Sequence, residues 1–185
     1  MSGRGARPSA PRHWGWHRLE PDWAQRLVDD AAVGRGDLVV DVGAGDGALT
    51  EPLLRAGARV IVVEAHHGRS RVLRERFGDA VVHVRADASD LRLPRRPFHV
   101  VANPPFAVTS ALVRRLLHPG GQLQSAHLVL QTQAAQRWAS ADAPGIRRWG
   151  GAFQVSLGSR VPPRAFRPPP AVPATVLVVR RRAGR

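Results

Sequence analysis

The chain has 185 residues, 43% of them hydrophobic, which is enough for one domain with a packed core and too few for two ordinary domains. No apolar run is long enough to span a bilayer and none follows the N-terminal arginines, which excludes a transmembrane helix and a conventional secretory signal. The absence of cysteine excludes disulfides and thiolate catalysis, and we expect a cytoplasmic monomer.

The net charge of +14 is concentrated at the two ends of the chain. Residues 1–18 hold four arginines and no acid, and residues 160–185 hold seven arginines and no acid, so the ends carry +11. Two simpler explanations compete. All 28 basic residues are arginine, which could reflect a GC-rich coding sequence, and basic termini can also be solvated tails. We favour contact with a nucleic-acid backbone, through Arg4, Arg7, Arg12, Arg164, Arg167, Arg180, Arg181 and Arg182.

The chain begins with a stretch rich in Gly, Ser, Pro and Arg, which predicts a flexible basic arm over residues 1–12. The predicted domain covers 13–182, with a basic tail at 183–185. Apolar residues at helical spacing predict a first helix from Asp22 to Val33, with Asp22 as its cap.

Short apolar runs then alternate with helical segments. The predicted strands lie at 38–42, 60–63, 81–84, 99–102 and 126–130. The predicted helices lie at 48–56, 69–77 and 108–117, and a last helix follows the strand at 126–130 and runs through Trp138. Such alternation predicts parallel strands joined by right-handed crossovers, hence a doubly wound α/β sheet. Two further strands, 153–157 and 175–179, are linked only by the proline-rich 161–173, which predicts a seven-stranded, mostly parallel sheet with an antiparallel last strand.

A glycine-rich loop, Asp41-Val42-Gly43-Ala44-Gly45-Asp46-Gly47, follows the first strand of this array and opens a helix. Such a bend lets a ligand approach the backbone at the carboxyl ends of the strands. Glu64 ends the next strand, where a carboxylate can accept hydrogen bonds from two ribose hydroxyls. Glycines that serve only a tight turn are the simpler interpretation of this loop taken alone.

Dinucleotide binding is the nearest alternative for this loop. The spacing is Gly-x-Gly-x-Gly rather than Gly-x-Gly-x-x-Gly, and Asp41 and Asp46 would repel a pyrophosphate. Asp41 suits an ammonium group, so the charge pattern favours S-adenosylmethionine. Asp87, followed by Ala88, could accept a hydrogen bond from the adenine amine of that cofactor, although a turn or cap residue is the simpler role.

The tetrapeptide Asn103-Pro104-Pro105-Phe106 ends the fourth strand, at the same sheet edge as the glycine loop. The Asn103 side-chain carbonyl and the Pro104 main-chain carbonyl could accept the two N–H groups of a planar amine and aim its lone pair at a methyl donor. Phe106 offers a face on which a base can stack. An isolated Asn-Pro turn would be unremarkable; its place beside Asp41, Glu64 and Asp87 predicts an amine pocket.

Together these residues resemble the Erm family of rRNA adenine N6-methyltransferases, whose relatives dimethylate small-subunit rRNA. The matching segments, in chain order, are Gly15-Trp16-His17-Arg18-Leu19, DVGAGDGALT from Asp41, Glu64, Ala86-Asp87-Ala88, NPPF from Asn103, and Pro162 to Val172. The resemblance implies a Rossmann-like class I methyltransferase fold, S-adenosylmethionine as cofactor, a target adenine in large-subunit (23S) rRNA and resistance to macrolide, lincosamide and streptogramin antibiotics. It also implies that Phe166 helps to enclose the target adenine.

The resemblance completes the predicted site. The cofactor-binding residues are His17, Leu19, Asp41, Gly43, Ala44, Gly45, Gly47, Glu64, Ala65, Asp87, Ala88 and Asn103; the catalytic residues are Asn103, Pro104 and Phe106. Three departures stand out. Phe106 lacks the hydroxyl of the family's usual tyrosine, Trp16 replaces its glutamine, and no C-terminal helical domain is expected, as in the shortened mycobacterial type.

Two other kinds of function remain open. One is methylation of a different planar nitrogen, in small-subunit rRNA, in DNA, or on a protein glutamine or arginine. The other is a catalytically idle protein that binds RNA or assists ribosome assembly. The eight histidines have no metal-ligand spacing and no cysteine beside them, so no metal site is predicted.

Overall fold

The computed structural model of the protein describes residues 17–183, so the predicted arm at 1–12, with Arg4, Arg7 and Arg12, lies outside the described residues. The elements are β1 (Arg18–Leu19), α1 (Pro21–Ala31), β2 (Leu38–Val42), α2 (Thr50–Arg55), β3 (Arg59–Val63), α3 (His67–Phe77), β4 (Val81–Val84), β5 (Phe98–Ala102), α4 (Thr109–Leu116), β6 (Leu123–Gln131), α5 (Thr132–Ala139), α6 (Ile146–Trp149), β7 (Phe153–Val161), β8 (Phe166–Arg167) and β9 (Ala174–Arg181). Short 3-10 turns lie at Gly78–Ala80, Ala88–Asp90, Phe106–Val108 and Pro163–Ala165.

The main sheet has seven strands in the order β4-β3-β2-β5-β6-β9-β7. β9 runs antiparallel to both of its neighbours, whereas the pairs among β2 to β6 are parallel. The prediction of a mostly parallel seven-stranded sheet with an antiparallel last strand is therefore confirmed. β9 inserts between β6 and β7, which the linear order of the elements did not indicate.

Helices cover both faces of this sheet, which explains why its central strands are continuously apolar. All five residues of β2 are buried, and successive side chains enter opposite cores. Val39 belongs to the core that includes residues of α1, α2 and α3, whereas Val40 belongs to the core that includes residues of α4, α5 and α6. The carboxyl ends of the parallel strands are left to carry the loops in which the candidate site lies.

Helix α1 begins one residue earlier than predicted, and Asp22 does not cap it. Glu20 occupies the N-cap position without a side-chain cap hydrogen bond, and Pro21 opens the first turn. Proline suits that position because its missing N–H would be unsatisfied there anyway. Asp22 instead lies within the first turn, where its negative charge is favourable toward the helix dipole.

A second, two-stranded sheet joins the beginning of the described chain to the proline-rich link. β1 pairs antiparallel with β8, with Arg18 opposite Arg167 and Leu19 opposite Phe166. The Glu20 amide donates to the carbonyl of Ala165 at 2.8 Å, and the Arg167 Nε lies 2.5 Å from a Glu20 carboxylate oxygen. This pairing places His17 beside the carboxyl ends of β2 and β5.

The last strand carries its arginines to the edge of the sheet opposite the candidate site. Arg181 was predicted to contact phosphate, but its guanidinium donates to the carbonyls of Leu123 and Gly121, each at 2.6 Å, and lies 4.7 Å from the Phe153 ring centroid. Arg182 donates to the carbonyl of Gly150 at 3.1 Å. The Arg181 charge thus satisfies carbonyls at the beginnings of strands, and its contact with phosphate stays a prediction. Arg180 is exposed at the same edge.

We predict that Arg181→Ala lowers the free energy of unfolding by about 2 kcal/mol, because the carbonyls lose a charged donor and Phe153 loses its cation. The exposed neighbour serves as the control, and Arg180→Ala should change stability by no more than about 0.5 kcal/mol. Urea denaturation of both variants measures the difference. Equal effects would mean that the carbonyl contacts of Arg181 contribute nothing.

Candidate active site

The glycine loop after β2 and the tetrapeptide after β5 are in contact at Gly43. Gly43 has a φ of +74°, and a Cβ built on it would lie 3.0 Å from Cδ of Pro105 and 3.4 Å from Cα of Pro104. Any larger residue would push the loop and the tetrapeptide apart and would also strain the backbone. The two sequence motifs therefore form one site, as their shared sheet edge predicted.

A cavity of about 330 Å³ opens beside Gly43, within the size range of small-molecule sites. Its walls are mainly apolar, with Glu64 on one side and Asp87 on the other. The lining residues are Gly43, Val63, Glu64, Ala65, His66, His67, Arg69, Ala86, Asp87, Ala88, Pro105 and Val108. The structure thus brings five predicted cofactor residues to one cavity: Gly43, Glu64, Ala65, Asp87 and Ala88.

A second, much smaller cavity of about 10 Å³ shares Gly43 with the first. It is lined by Arg18, Leu19, Asp41, Gly43, Ala44, Asp46, Ala48, Leu49 and Asn103. Four more predicted residues therefore gather here, namely Leu19, Asp41, Ala44 and Asn103.

Asp41 is a buried carboxylate with an unfilled hydrogen-bonding requirement. Its Oδ2 accepts a hydrogen bond from the Thr50 hydroxyl at 2.8 Å, whereas its Oδ1 is buried and has no partner. Burial raises the pKa of Asp41 to about 7, against the lowering effect of Thr50, and the nearby Glu64 charge raises it further. A cation placed at Oδ1 would satisfy that oxygen and favour the charged form of the carboxylate, which fits the ammonium group of S-adenosylmethionine.

The Glu64 carboxylate is held by donors from the loops on both sides. One oxygen accepts from the Gly45 amide at 2.9 Å, and the other accepts from the His66 amide at 2.8 Å and from Arg69 at 3.2 Å. These three bonds leave about one of the four lone-pair positions of the carboxylate free to accept another hydrogen bond. Gly45 thus acts through Glu64, by fixing the carboxylate at the mouth of the larger cavity.

Gly47 has a packing role that the sequence analysis did not anticipate. It lines neither cavity, and a Cβ at this position would lie 2.3 Å from the Phe77 ring. Its φ of +92° also favours glycine. This glycine lets α3 pack closely against the loop, and contact of Gly47 with the cofactor stays a prediction.

Asn103 is oriented by the segment that precedes β1. Its Nδ2 donates to the main-chain carbonyl of His17 at 2.6 Å, and the His17 Nδ1 lies 2.8 Å from the carbonyl of Pro168. Thr109 donates to the carbonyl of Phe106 at 2.9 Å and holds the turn after the tetrapeptide. With its nitrogen engaged, Asn103 retains its side-chain oxygen as the acceptor for a further donor.

Three aromatic rings meet beside Asn103. The His17 ring centroid lies 5.9 Å from that of Phe106 and 6.4 Å from that of Phe166, in an edge-on arrangement with the latter. Phe106 is partly exposed, as a stacking platform requires, but Phe166 is only 2% exposed. Direct contact of a base with Phe166 therefore requires the side chains that cover this ring to move.

A basic groove lies at the same sheet edge as the cavities, on the α1 side. It has a volume of about 620 Å³ and is lined by Trp23, Arg26, Thr132, Arg160, Val161, Pro162, Arg164, Pro173 and Ala174. The lining includes three exposed arginines and no acid. Of the predicted phosphate contacts, Arg164 lies here, and the exposed Arg167 lies nearby in β8. Arg26 and Arg160 were not singled out, because spacing alone does not show that a helix and a distant strand meet.

Two negative findings hold within residues 17–183. No group of three or more His, Asp or Glu side chains there is arranged to hold a metal ion. No helix in that part of the chain combines the length and the apolar character that crossing a membrane requires.

Comparison with known protein families shows the family of this chain. Residues 19–185 match the family described as Ribosomal RNA adenine dimethylase. The chain belongs to that family. Its members are S-adenosylmethionine-dependent methyltransferases, so the resemblance predicted from the motifs is confirmed, and with it the class of cofactor that the donor groups fit.

Two relatives with related names are similar to this family member. The rRNA adenine N-6-methyltransferase of Corynebacterium diphtheriae is 36% identical over 146 residues, which cover 77% of this chain and 57% of the relative. The ribosomal RNA small subunit methyltransferase A of Anaeromyxobacter dehalogenans strain 2CP-C is 35% identical, with 91% of this chain and 66% of the relative covered. The chain thus spans less than two thirds of the length of either relative.

Solved structures confirm the fold of this family member. The crystal structure of 23S rRNA methyltransferase ErmE superposes with a TM-score of 0.80 and 26% identity, over 90% of this chain and 70% of that one. A dimethyladenosine transferase from Plasmodium falciparum superposes with a TM-score of 0.77 at 22% identity, over 90% of this chain and 64% of that one.

We predict that Asp41 makes the stability of the ligand-free protein fall as pH rises. The folded state retains the Asp41 proton up to about pH 7, whereas the unfolded chain releases it near 3.8, so proton loss favours unfolding between these values. From pH 5 to pH 8 the free energy of unfolding should decrease by roughly 3 kcal/mol relative to that of Asp41→Asn.

Urea denaturation of both proteins from pH 5 to pH 8 measures this difference. The gap should widen up to about pH 7 and then stay constant. Parallel pH profiles for the two proteins would contradict a raised pKa at Asp41.

Proposed function

We propose that this chain transfers a methyl group from S-adenosylmethionine to the N6 amine of an adenine in rRNA. The observation that carries the proposal is the contact at Gly43, which joins the cavity lined by Glu64 and Asp87 to the Asn103 tetrapeptide. A cofactor held in the first would present its methyl group toward an amine held by the second.

The chain's own residues would act mainly by positioning. When bound, S-adenosylmethionine supplies an electrophilic methyl group on its sulfonium sulfur. The Asn103 side-chain oxygen and the Pro104 carbonyl would accept the two N–H groups of the adenine amine, which aims the nitrogen lone pair. Phe106 would stack on the base, and the amine proton would leave to solvent after transfer.

Binding of the cofactor would require a rearrangement at Glu64. Two ribose hydroxyls need two acceptor positions, and the three present donors leave about one. Arg69 holds the carboxylate by the longest of these contacts, through a flexible side chain, so it is the donor that we expect to give way. The Gly45 and His66 amides would keep the carboxylate in place.

The substrate that we propose is large-subunit rRNA, with resistance to macrolide, lincosamide and streptogramin antibiotics as the consequence. Support comes from the TM-score of 0.80 and 26% identity with 23S rRNA methyltransferase ErmE. Small-subunit rRNA is the alternative, favoured by relatives named small subunit methyltransferase A at 30–35% identity. Cytoplasmic location and a monomeric state stay predictions.

The basic groove would bind the rRNA backbone beside the target adenine. Arg26, Arg160 and Arg164 are exposed there, and Trp23 forms an aromatic wall under Arg26, whose guanidinium lies 5.2 Å from the ring centroid. Arginine contacts to phosphate release counterions and so make affinity depend on salt. The groove is nearer to the amine pocket than Arg180, Arg181 and Arg182 are. We therefore propose that the groove, rather than these C-terminal arginines, binds the RNA beside the target adenine.

We predict that Asn103→Ala reduces methyl transfer on the order of a hundredfold or more, because the amine loses one of its two acceptors. Transfer of labelled methyl to 23S and to 16S rRNA, each as a separate substrate, measures the effect. Gln122→Ala, an exposed carboxamide at the opposite sheet edge, is the matched control and should retain full activity.

The substrate comparison separates the candidate functions. Transfer to 16S rRNA alone would replace the large-subunit proposal with the small-subunit alternative. Binding of S-adenosylhomocysteine without transfer to either RNA would favour an idle RNA-binding protein or a methyl acceptor other than rRNA. Activity that survives Asn103→Ala would contradict the role of the tetrapeptide.

We predict that Arg160→Ala combined with Arg164→Ala weakens rRNA binding at all salt concentrations. The double variant should also reduce the magnitude of the slope of log K, the association constant, against log salt by about 2. The control pair is Arg147→Ala with Arg148→Ala, two exposed arginines of α6 at the opposite sheet edge. Filter binding over a salt series gives both quantities. An equal loss in the control pair would show that total charge, rather than the groove, determines binding.

A further inference from the structure

Arg18 reaches from β1 to the glycine loop and stands at the small cavity. Its Nε lies 2.7 Å from Asp46 Oδ2, and both side chains are 32% exposed. The contact is an ion pair without hydrogen-bond alignment, since Arg18 Nε and Asp46 Oδ1 are both buried and have no hydrogen-bond partner. A guanidinium in such a contact keeps an unused donor for a better-placed acceptor.

The small cavity lies between an acidic and a basic side chain. Asp41 presents an unpartnered carboxylate oxygen, and Arg18 presents the guanidinium. An α-amino acid carries an ammonium and a carboxylate on one carbon, so both charges of such a group find a complement here. The volume of about 10 Å³ is close to that of a single water, so an amino-acid group enters only if Arg18 and Asp46 separate.

We propose that Arg18 binds the carboxylate of the cofactor's amino-acid end while Asp41 binds its ammonium group. Asp46 holds Arg18 across the cavity until the cofactor carboxylate takes its place. The proposal rests on the proposed function, because it takes S-adenosylmethionine or its product as the ligand. It makes Arg18 a residue that selects zwitterionic cofactors over nucleosides without an amino-acid end.

The role is tested by binding, without RNA and without turnover. Isothermal titration of Arg18→Ala with S-adenosylhomocysteine should show an affinity loss on the order of tenfold to a hundredfold, the range expected for a lost hydrogen bond between charged groups. Decarboxylated S-adenosylhomocysteine and 5′-methylthioadenosine, which lack the carboxylate, should bind Arg18→Ala about as well as they bind the unaltered chain.

Two further variants and one control variant sharpen the result. Asp46→Asn should tighten S-adenosylhomocysteine binding, because it removes both a competitor for Arg18 and a like charge beside the cofactor carboxylate. Arg18→Lys should restore part of the affinity, since lysine keeps the charge but lacks the fork of donors. Arg55→Ala removes an exposed arginine that pairs with Glu51 and should change nothing.

The outcomes distinguish this proposal from the proposed function. Equal losses for all three ligands in Arg18→Ala, or no loss for any, would overturn the role of Arg18 while cofactor binding by the unaltered chain remained intact. Failure of the unaltered chain to bind S-adenosylhomocysteine would instead overturn the proposed function. Thermal unfolding of each variant shows that a loss of binding is not a loss of fold.

Discussion

The glycine loop after β2 and the Asn-Pro-Pro-Phe turn after β5 come together at Gly43, where no side chain separates them. A Cβ at that position would lie 3.0 Å from the Pro105 ring, so the contact depends on glycine at a positive φ. This contact sets the distance between the cavities and the tetrapeptide, because both cavities are lined by Gly43 and by a residue of the tetrapeptide. The short β1–β8 sheet completes the arrangement, because it places the His17 carbonyl where Asn103 donates to it.

The site contains ionisable groups whose hydrogen-bonding requirements the rest of the protein does not meet. Asp41 Oδ1 is buried without a partner, and Arg18 and Asp46 are close together but poorly aligned. Unsatisfied buried polar groups reduce stability, so the fold maintains them at some cost. A zwitterionic ligand would satisfy Asp41 and Arg18 together, which gives a physical reason for their presence at adjoining positions.

The arginines have at least three different roles that composition cannot separate. Arg181 satisfies main-chain carbonyls at the beginnings of strands, Arg69 holds the Glu64 carboxylate, and Arg160 and Arg164 line an open groove. A count of net charge treats all of these arginines alike. Their roles diverge because β9 runs antiparallel and carries the final arginines to the edge of the sheet remote from the site.

The sequence by itself determined the fold class, the motifs and the family, because a buried parallel sheet requires apolar strands alternating with amphipathic helices and its loops fall at one edge. It also indicated Asp41, Glu64, Asp87 and Asn103, which follow or end consecutive strands. Only the tertiary structure decided what each residue contacts. Gly47 proved to pack against Phe77, and Trp23, Arg26 and Arg160 proved to share a groove, because such contacts join residues far apart in the chain.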